Sequence, residues 1–329
     1  MRNCPKRNLR KLNDNGKFRF DEEKNGKQKI FNFTGQRASV LSLWSWKQTI
    51  VMLHAQGTSS ESYFEAAEYL AKSSKVILID YYGHGGSTHN ADLYKLDVIG
   101  DDVYNLINSL TNQKIQLVGH SSGGLIAAYV ESNYHCCERL ILEDPPFFAS
   151  YGDRRFNTFN YVDISTICHD FLNQDEEKDF VLYYFEHQYA WNFFPEKSRA
   201  KMRDKLTSNA RKYREKHPDK SLKVMFWPKA ALEAFRGMND YDPEFGEAFY
   251  TDSFHEHIDY DSLLKNIACP TVFLKAKTEF SRDGIQNCAL TDDDVDRIGS
   301  LVPDFSVIRF DCGHGIHIEK KREFLKVFE

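Results

Sequence analysis

The sequence predicts an α/β protein with a mostly parallel central sheet, helices on both faces and an inserted helical segment. Three observations carry this expectation. From Thr49 onward, short apolar runs of strand length alternate with amphipathic helical patterns, which is the signature of parallel strands joined by crossover helices. The run Ile115–Gly119 is almost uniformly apolar at its end, as a strand covered on both faces must be. The alternation stops after Pro146 and resumes at Pro270, so a different kind of structure interrupts one domain.

The elements follow in order. Strand-length runs bounded by turn residues are Lys29–Phe33, Val40–Trp46, Thr49–Leu53, Val76–Asp80, Ile115–Gly119, Leu140–Glu143, Thr271–Lys275 and Val307–Phe310. The first of these are joined by short links, which predicts an antiparallel start built from hairpins. Ser62–Lys72 gathers Tyr63, Ala66, Ala67 and Leu70 on one helical face, and Asp97–Leu110 and Ser122–Asn133 read as further helices. Asp292, Asp293 and Asp294 follow Thr291 as a helix N-terminus should. The segment between is charged, helical in composition and rich in aromatics, with a basic, solvated helix end at Asn209–Pro218. The predicted organisation is a lead-in over 1–29, a core formed by 30–146 and 263–329, and a helical insert over 147–262.

Bulk properties exclude several classes. The chain has 329 residues, 41% hydrophobic, 14% aromatic and 28% charged, with a formal net charge of -5. That composition supports a large core and a soluble surface. Nothing global points to nucleic acid or to an anionic membrane, and no apolar run reaches the ~20 residues that a membrane span requires. The basic N-terminus is not followed by the apolar stretch of a secretory signal. Seven cysteines without a C-x-x-C pair read as reduced thiols, which predicts a cytoplasmic protein with no zinc-site spacing. His255-Glu256-His257 lacks the helical spacing of a metal pair and reads as a chance surface cluster. No metal or cofactor is expected, and no pattern in the chain speaks to oligomeric state.

Gly119-His120-Ser121-Ser122-Gly123 fits G-x-S-x-G, between an apolar strand and a helix. That context gives the motif its meaning. The sharp bend strains the serine backbone, and small neighbours let other segments come close. The hydroxyl then stands near a helix N-terminus, where backbone N–H groups face developing negative charge. Late in the chain, His314 lies in Asp311-Cys-Gly-His-Gly, just after a strand. Imidazole suits proton transfer near neutral pH. His120, His84 and His317 compete poorly for that role: His120 adjoins the serine, His84 lies in a structural turn, and His317 reads as packed.

With these motifs the sequence resembles the α/β-hydrolase superfamily over nearly all of the chain outside the insert. His54-Ala55-Gln56-Gly57 stands where the family usually has His-Gly, and Asp80–Ser87 looks like its D-x-x-G-H-G-x-S turn. Pro270–Leu274 looks like the strand before the family's acid, and Gly313–Glu319 like its G-H-x-x-H-x-E. The resemblance implies a serine hydrolase with Ser121 as nucleophile and His314 as base. It implies Glu279 as acid, with Asp283 and Asp144 as rivals. The oxyanion donors would be the backbone N–H groups of Ser122 and Gln56, with Ala55 a departure from the family's glycine. The insert would form a lid, walled by Phe147, Phe148, Tyr183, Tyr184, Trp191, Phe193, Phe194, Phe226 and Trp227 where these face the site. The expected substrate is a small or medium acyl ester or related carbonyl compound. An acyltransferase, a C–C or amide hydrolase, and a non-catalytic ligand-binding member are the alternatives.

Overall fold

The computed structural model describes residues 20–23, 28–33, 35–41, 48–218, 220–225 and 227–329. Most of the predicted lead-in, the predicted strand beyond Leu41, and Phe226 lie outside the described residues.

Among the described residues, nine strands form one sheet: β1 (Phe20–Glu23), β2 (Gln28–Phe33), β3 (Gln36–Leu41), β4 (Thr49–Leu53), β5 (Lys75–Asp80), β6 (Ile115–His120), β7 (Cys137–Glu143), β8 (Thr271–Lys275) and β9 (Phe305–Arg309). Their order is β1-β2-β3-β5-β4-β6-β7-β8-β9. The first three strands pair antiparallel, and β3 joins β5 antiparallel. Every later pairing is parallel. The antiparallel start and the parallel body are as the sequence predicts, but β1 and the first residues of β2 fall within the predicted lead-in over 1–29. The third strand begins earlier than expected, at Gln36.

Side chains alternate across the sheet with a period of two. Val51, Leu53, Ile77, Ile79, Leu117, Leu140, Leu142 and Phe273 enter one core. Ile50, Met52, Val76, Leu78, Val118, Ile141, Val272 and Leu274 enter the other. Both faces are therefore covered, which is why these strands read as unbroken apolar runs.

The helices are α1 (Phe64–Leu70), α2 (Leu96–Leu110), α3 (Ser122–Tyr134), α4 (Thr166–Leu172), α5 (Phe180–His187), α6 (Glu196–Lys216), α7 (Lys229–Gly237), α8 (Pro243–Tyr250), α9 (Tyr260–Lys265), α10 (Asp292–Leu301), α11 (Ile316–Glu319) and α12 (Lys321–Leu325). Leu96, Ile99, Val103, Leu106 and Ile107 of α2 pack on the first core. The predicted stripe Tyr63, Ala66, Ala67 and Leu70 packs on the second, beside Phe324 and Leu325 of α12. Thr291 caps α10 through a reciprocal box with Asp294, satisfying two backbone donors at once.

Between β7 and β8 the chain is helical, carrying α4 to α9 and a π-helical turn at Tyr161–Ser165. This insert is tied to the core by Tyr94 donating to Asp242 at 2.5 Å, by Arg154 on Asp294 at 2.5 Å, and by Phe159 N–H on the Gln286 carbonyl at 2.9 Å. Its own centre is aromatic: Phe185, Trp191, Phe194 and Trp227 meet with ring centroids 5.3–5.7 Å apart. His255, expected on the surface, is buried, with Nδ1 2.7 Å from the Tyr260 hydroxyl.

Candidate active site

The site is built at the C-terminal ends of β6 and β7, which are parallel neighbours with His120 opposite Glu143. One residue further along each strand stand Ser121 and Asp144, and both have a positive φ, 54° and 48°. Such conformations cost a non-glycine residue about 1–3 kcal/mol and persist where surrounding structure fixes them. The Ser121 N–H is held by the Glu143 carbonyl at 2.9 Å, and the Asp144 N–H by Leu274 O at 2.9 Å. Ser121 also stands at the N-cap of α3, yet its hydroxyl makes no capping bond. That leaves the oxygen free for other work.

Close approach around the bend explains its glycines. A Cβ on Gly123 would come within 2.3 Å of the His54 carbonyl oxygen and 2.5 Å of that of Leu53. α3 therefore packs directly on the end of β4. The loop after β4 is held in turn by His84, whose Nδ1 lies 3.0 Å from Tyr82 O and whose Nε2 receives the Gly57 N–H at 3.2 Å. Burial pushes His84 well below the usual imidazole range, so the ring stays neutral and can accept that bond. The predicted turn Asp80–Ser87 is thus scaffolding for the loop that carries Gln56. Tyr81, which the sequence did not single out, donates to His54 O at 3.1 Å and lies 2.9 Å from Ser122 Oγ.

His314 meets Asp144, not Glu279. Its Nδ1 is 2.8 Å from Asp144 Oδ2, with Asp144 fully buried and His314 37% exposed. The other Asp144 oxygen accepts the Ala276 N–H at 3.3 Å. Glu279 is half exposed and pairs with Lys277 at 2.8 Å, and Asp283 is bound to Tyr189 and Ser281. The reason is topological. β7 adjoins β6, so the residue after β7 emerges beside the serine bend, whereas the loop after β8 turns away toward the insert.

A cavity of about 1390 Å³ opens at this point, lined by Ser121, Ser122, Gln56 and His314. The insert supplies much of its wall, including Phe159, Ile164, Tyr184, Phe193, Phe194, Trp227 and Met238. Glu279 and Asp283 reach its lining too, although neither touches His314. Of the aromatics expected there, Tyr184, Phe193, Phe194 and Trp227 line it, while Phe147, Phe148, Tyr183 and Trp191 pack elsewhere. Among the described residues, the backbone N–H groups of Gln56 and Ser122 donate to no protein acceptor. Asp163, in the π-helical turn, also lines the cavity. Burial raises it to about 6 despite bonds from the Tyr184 hydroxyl and the Tyr189 N–H.

Behind the site lies a buried polar cluster. Glu143 Oε1 accepts the His317 backbone N–H and lies 2.8 Å from His317 Nδ1, and Oε2 accepts the Tyr63 hydroxyl at 2.8 Å. His120 Nε2 is 2.9 Å from the His314 carbonyl. His120, Glu143 and His317 each offer an atom within 4.8 Å of the others, a spacing open to a metal ion. Both Glu143 oxygens are already engaged by protein donors, whereas His120 Nδ1 and His317 Nε2 are buried without a hydrogen-bond partner among the described residues. His317 is packed, as the sequence reading expected.

This geometry, a half-buried serine at a strand–helix bend that lines one cavity with a histidine bonded to a buried carboxylate, can be set beside known proteins. The family described as alpha/beta hydrolase fold matches residues 48–321. The chain belongs to the α/β-hydrolase fold family. It is 34% identical over 83 residues to an (E)-2-((N-methylformamido)methylene)succinate hydrolase of Acinetobacter baylyi, a match covering 25% of this chain and 32% of the relative. It is 32% identical over 96 residues to a proline iminopeptidase of Lactobacillus acidophilus, covering 28% of this chain and 33% of that one. The chain thus matches about a third of the length of these curated relatives. MenH from S. aureus superposes with a TM-score of 0.60 at 19% identity, over 90% of this chain and 97% of that one. An esterase from Exiguobacterium antarcticum gives 0.58 at 17% identity, over 92% and 94%. These structural likenesses establish the fold. Besides this hydrolase and this iminopeptidase, the chain is 32% identical over 112 residues to a probable 1-acylglycerol-3-phosphate O-acyltransferase of Oryza sativa, covering 31% of this chain and 26% of that one; among its described residues no helix is long and apolar enough to cross a membrane.

Proposed function

We propose that the chain is a serine hydrolase that cleaves an acyl ester or related carbonyl substrate through an acyl-enzyme. The observation that carries this reading is that Ser121 and His314 line one cavity while His314 is bonded to the buried Asp144. In the reaction, Ser121 Oγ attacks the carbonyl carbon and His314 Nε2 takes its proton. The N–H groups of Ser122 and Gln56 face the resulting oxyanion. The proton passes to the leaving group as the carbon–oxygen bond breaks. Water, activated by the same imidazole, then releases the acid and restores Ser121. Asp144 keeps Nδ1 protonated, so that Nε2 presents its lone pair. The helical insert acts as a lid, and its apolar wall favours a small or medium acyl group. The cysteines among the described residues are free thiols, which fits a reducing compartment such as the cytoplasm.

A fluorophosphonate probe tests the reading, because it reacts only with an activated serine. Wild type should label, Ser121→Ala should not, and a panel of p-nitrophenyl esters of rising chain length should show turnover. Folded wild-type protein that neither labels nor turns over any ester or amide would leave a ligand-binding role in its place.

A further inference from the structure

The two residues that immediately precede Ser121 and Asp144 have side chains aimed at the loop that carries His314. His120 and Glu143 are register partners at the ends of β6 and β7. His120 Nε2 reaches the carbonyl of His314, and Glu143 Oε1 takes both the backbone N–H and the ring Nδ1 of His317, the latter two at 2.8 Å. Tyr63 closes the second Glu143 oxygen, and its ring stacks on His317 with centroids 4.1 Å apart. Glu143 and His317 are fully buried and neither lines the cavity. Their arrangement therefore does not serve substrate contact.

We propose that Glu143 is a positioning residue: its carboxylate clamps the turn His314–His317 against the ends of β6 and β7, setting the imidazole of His314 relative to Ser121. This rests on the serine-hydrolase reading above. Three features of one residue support it. The Glu143 backbone carbonyl holds the Ser121 N–H, its side chain holds the turn after His314, and Asp144 is its chain neighbour. A burial cost that would raise its carboxyl is outweighed by His317 and His120, which hold it ionised at about 2. An ionised, fully bonded carboxylate is a stiff anchor. Without it, the loop of the base keeps the bonds of His314 to Asp144 and His120 and of the Cys312 carbonyl to the Lys277 N–H. Misplacement by about 1 Å can cost ~100-fold in rate.

The test uses the full chain, a fluorophosphonate probe and a p-nitrophenyl ester, with thermal melts to identify folded variants. Glu143→Leu should lower kcat and the labelling rate by about 10- to 100-fold while KM changes by no more than about twofold. Glu143→Gln keeps an oxygen that can accept both His317 donors and should stay within about threefold of wild type. His317→Phe keeps the stack on Tyr63, deletes the ring donor and should fall in the same direction as Glu143→Leu. It carries the test where Glu143→Leu fails to fold. A folded Glu143→Leu or His317→Phe with wild-type kcat overturns the clamp. So does a Glu143→Gln that falls as far as Glu143→Leu, since the effect would then belong to charge. Absence of labelling in wild type removes the hydrolase reading itself, which is a distinct outcome.

Discussion

Asp144 Oδ2 lies 2.8 Å from His314 Nδ1 across 170 residues of sequence. The bond is made by a carboxylate with no exposed surface, whose second oxygen is taken by the Ala276 N–H. A buried carboxylate so fixed can orient one tautomer of the imidazole and stabilise its protonated form.

Replacing that carboxylate by its amide should therefore cost far more than replacing its rivals. Asp144→Asn is expected to lower kcat by about 10⁴-fold, whereas Glu279→Ala and Asp283→Ala should change it by no more than about threefold. Steady-state kinetics on one ester decides this. A Glu279→Ala variant as inactive as Asp144→Asn would return the acid to the loop after β8.

Ser121 should show the trade between strain and activity. Both Ser121→Ala and Ser121→Gly remove the nucleophile and abolish probe labelling. Only glycine is at ease at φ 54°. Urea denaturation should find Ser121→Gly more stable than Ser121→Ala by about 1 kcal/mol. Equal stabilities would mean that the bend holds no strain.

Gly123 should tolerate no side chain. A Cβ there meets backbone oxygens of His54 and Leu53, at 2.3 and 2.5 Å, and backbone cannot swing aside as a flexible side chain can. Gly123→Ala is expected to destabilise the fold by about 1–3 kcal/mol or more, with activity falling because the loop carrying Gln56 is displaced. A melt indistinguishable from wild type would contradict the packing of α3 on β4.

The sequence expectations divide at the scale of the information they need. That Ser121 and His314 belong together was legible because each lies in a local pattern, strand–bend–helix for one and a glycine-flanked turn after a strand for the other, and the structure lines one cavity with both. The uniformly apolar Ile115–Gly119 likewise marks a central strand by itself. Asp144 was named only as a rival to Glu279, because which carboxylate meets His314 depends on which strand neighbours β6. The only trace is an aspartate directly after an apolar strand and before Pro145-Pro146. Glu143 left a similar trace, an acidic residue closing a run of apolar ones, which a buried clamp explains and propensity does not. His255 reads as a surface residue from its neighbours Glu256 and His257, yet the distant fold buries it against Tyr260.

Acid should weaken the fold before it protonates its surface carboxylates. Burial pushes His120 and His255 down to about 3, against about 6.5 in the denatured chain. His84 and His54 are lowered as well, also by burial. Between those limits the denatured state binds the additional protons, so stability falls as pH drops through about 6.5. Asp163, raised to about 6 by burial, acts in the opposite sense, gaining native-state protons below that pH. The histidines outnumber it, leaving at least one net proton and a loss of about 1.4 kcal/mol per pH unit. Glu143, held at about 2, adds to the loss as pH falls below about 4.5. Urea midpoints measured at pH 7.5, 6.0 and 5.0 should decline in that order, and a flat or rising series would contradict the buried neutral histidines.

The adjacency of β6 and β7 has a consequence for how the molecule comes into being. Ser121 and Asp144 belong to a single β–α–β unit, residues 115–144, a local assembly that can form early as the chain leaves the ribosome. The imidazole arrives 170 residues later than the carboxylate it joins. A nascent chain therefore holds Ser121 and Asp144 already in place without His314, so under the proposed mechanism it would stay chemically silent until β9 has threaded onto the sheet.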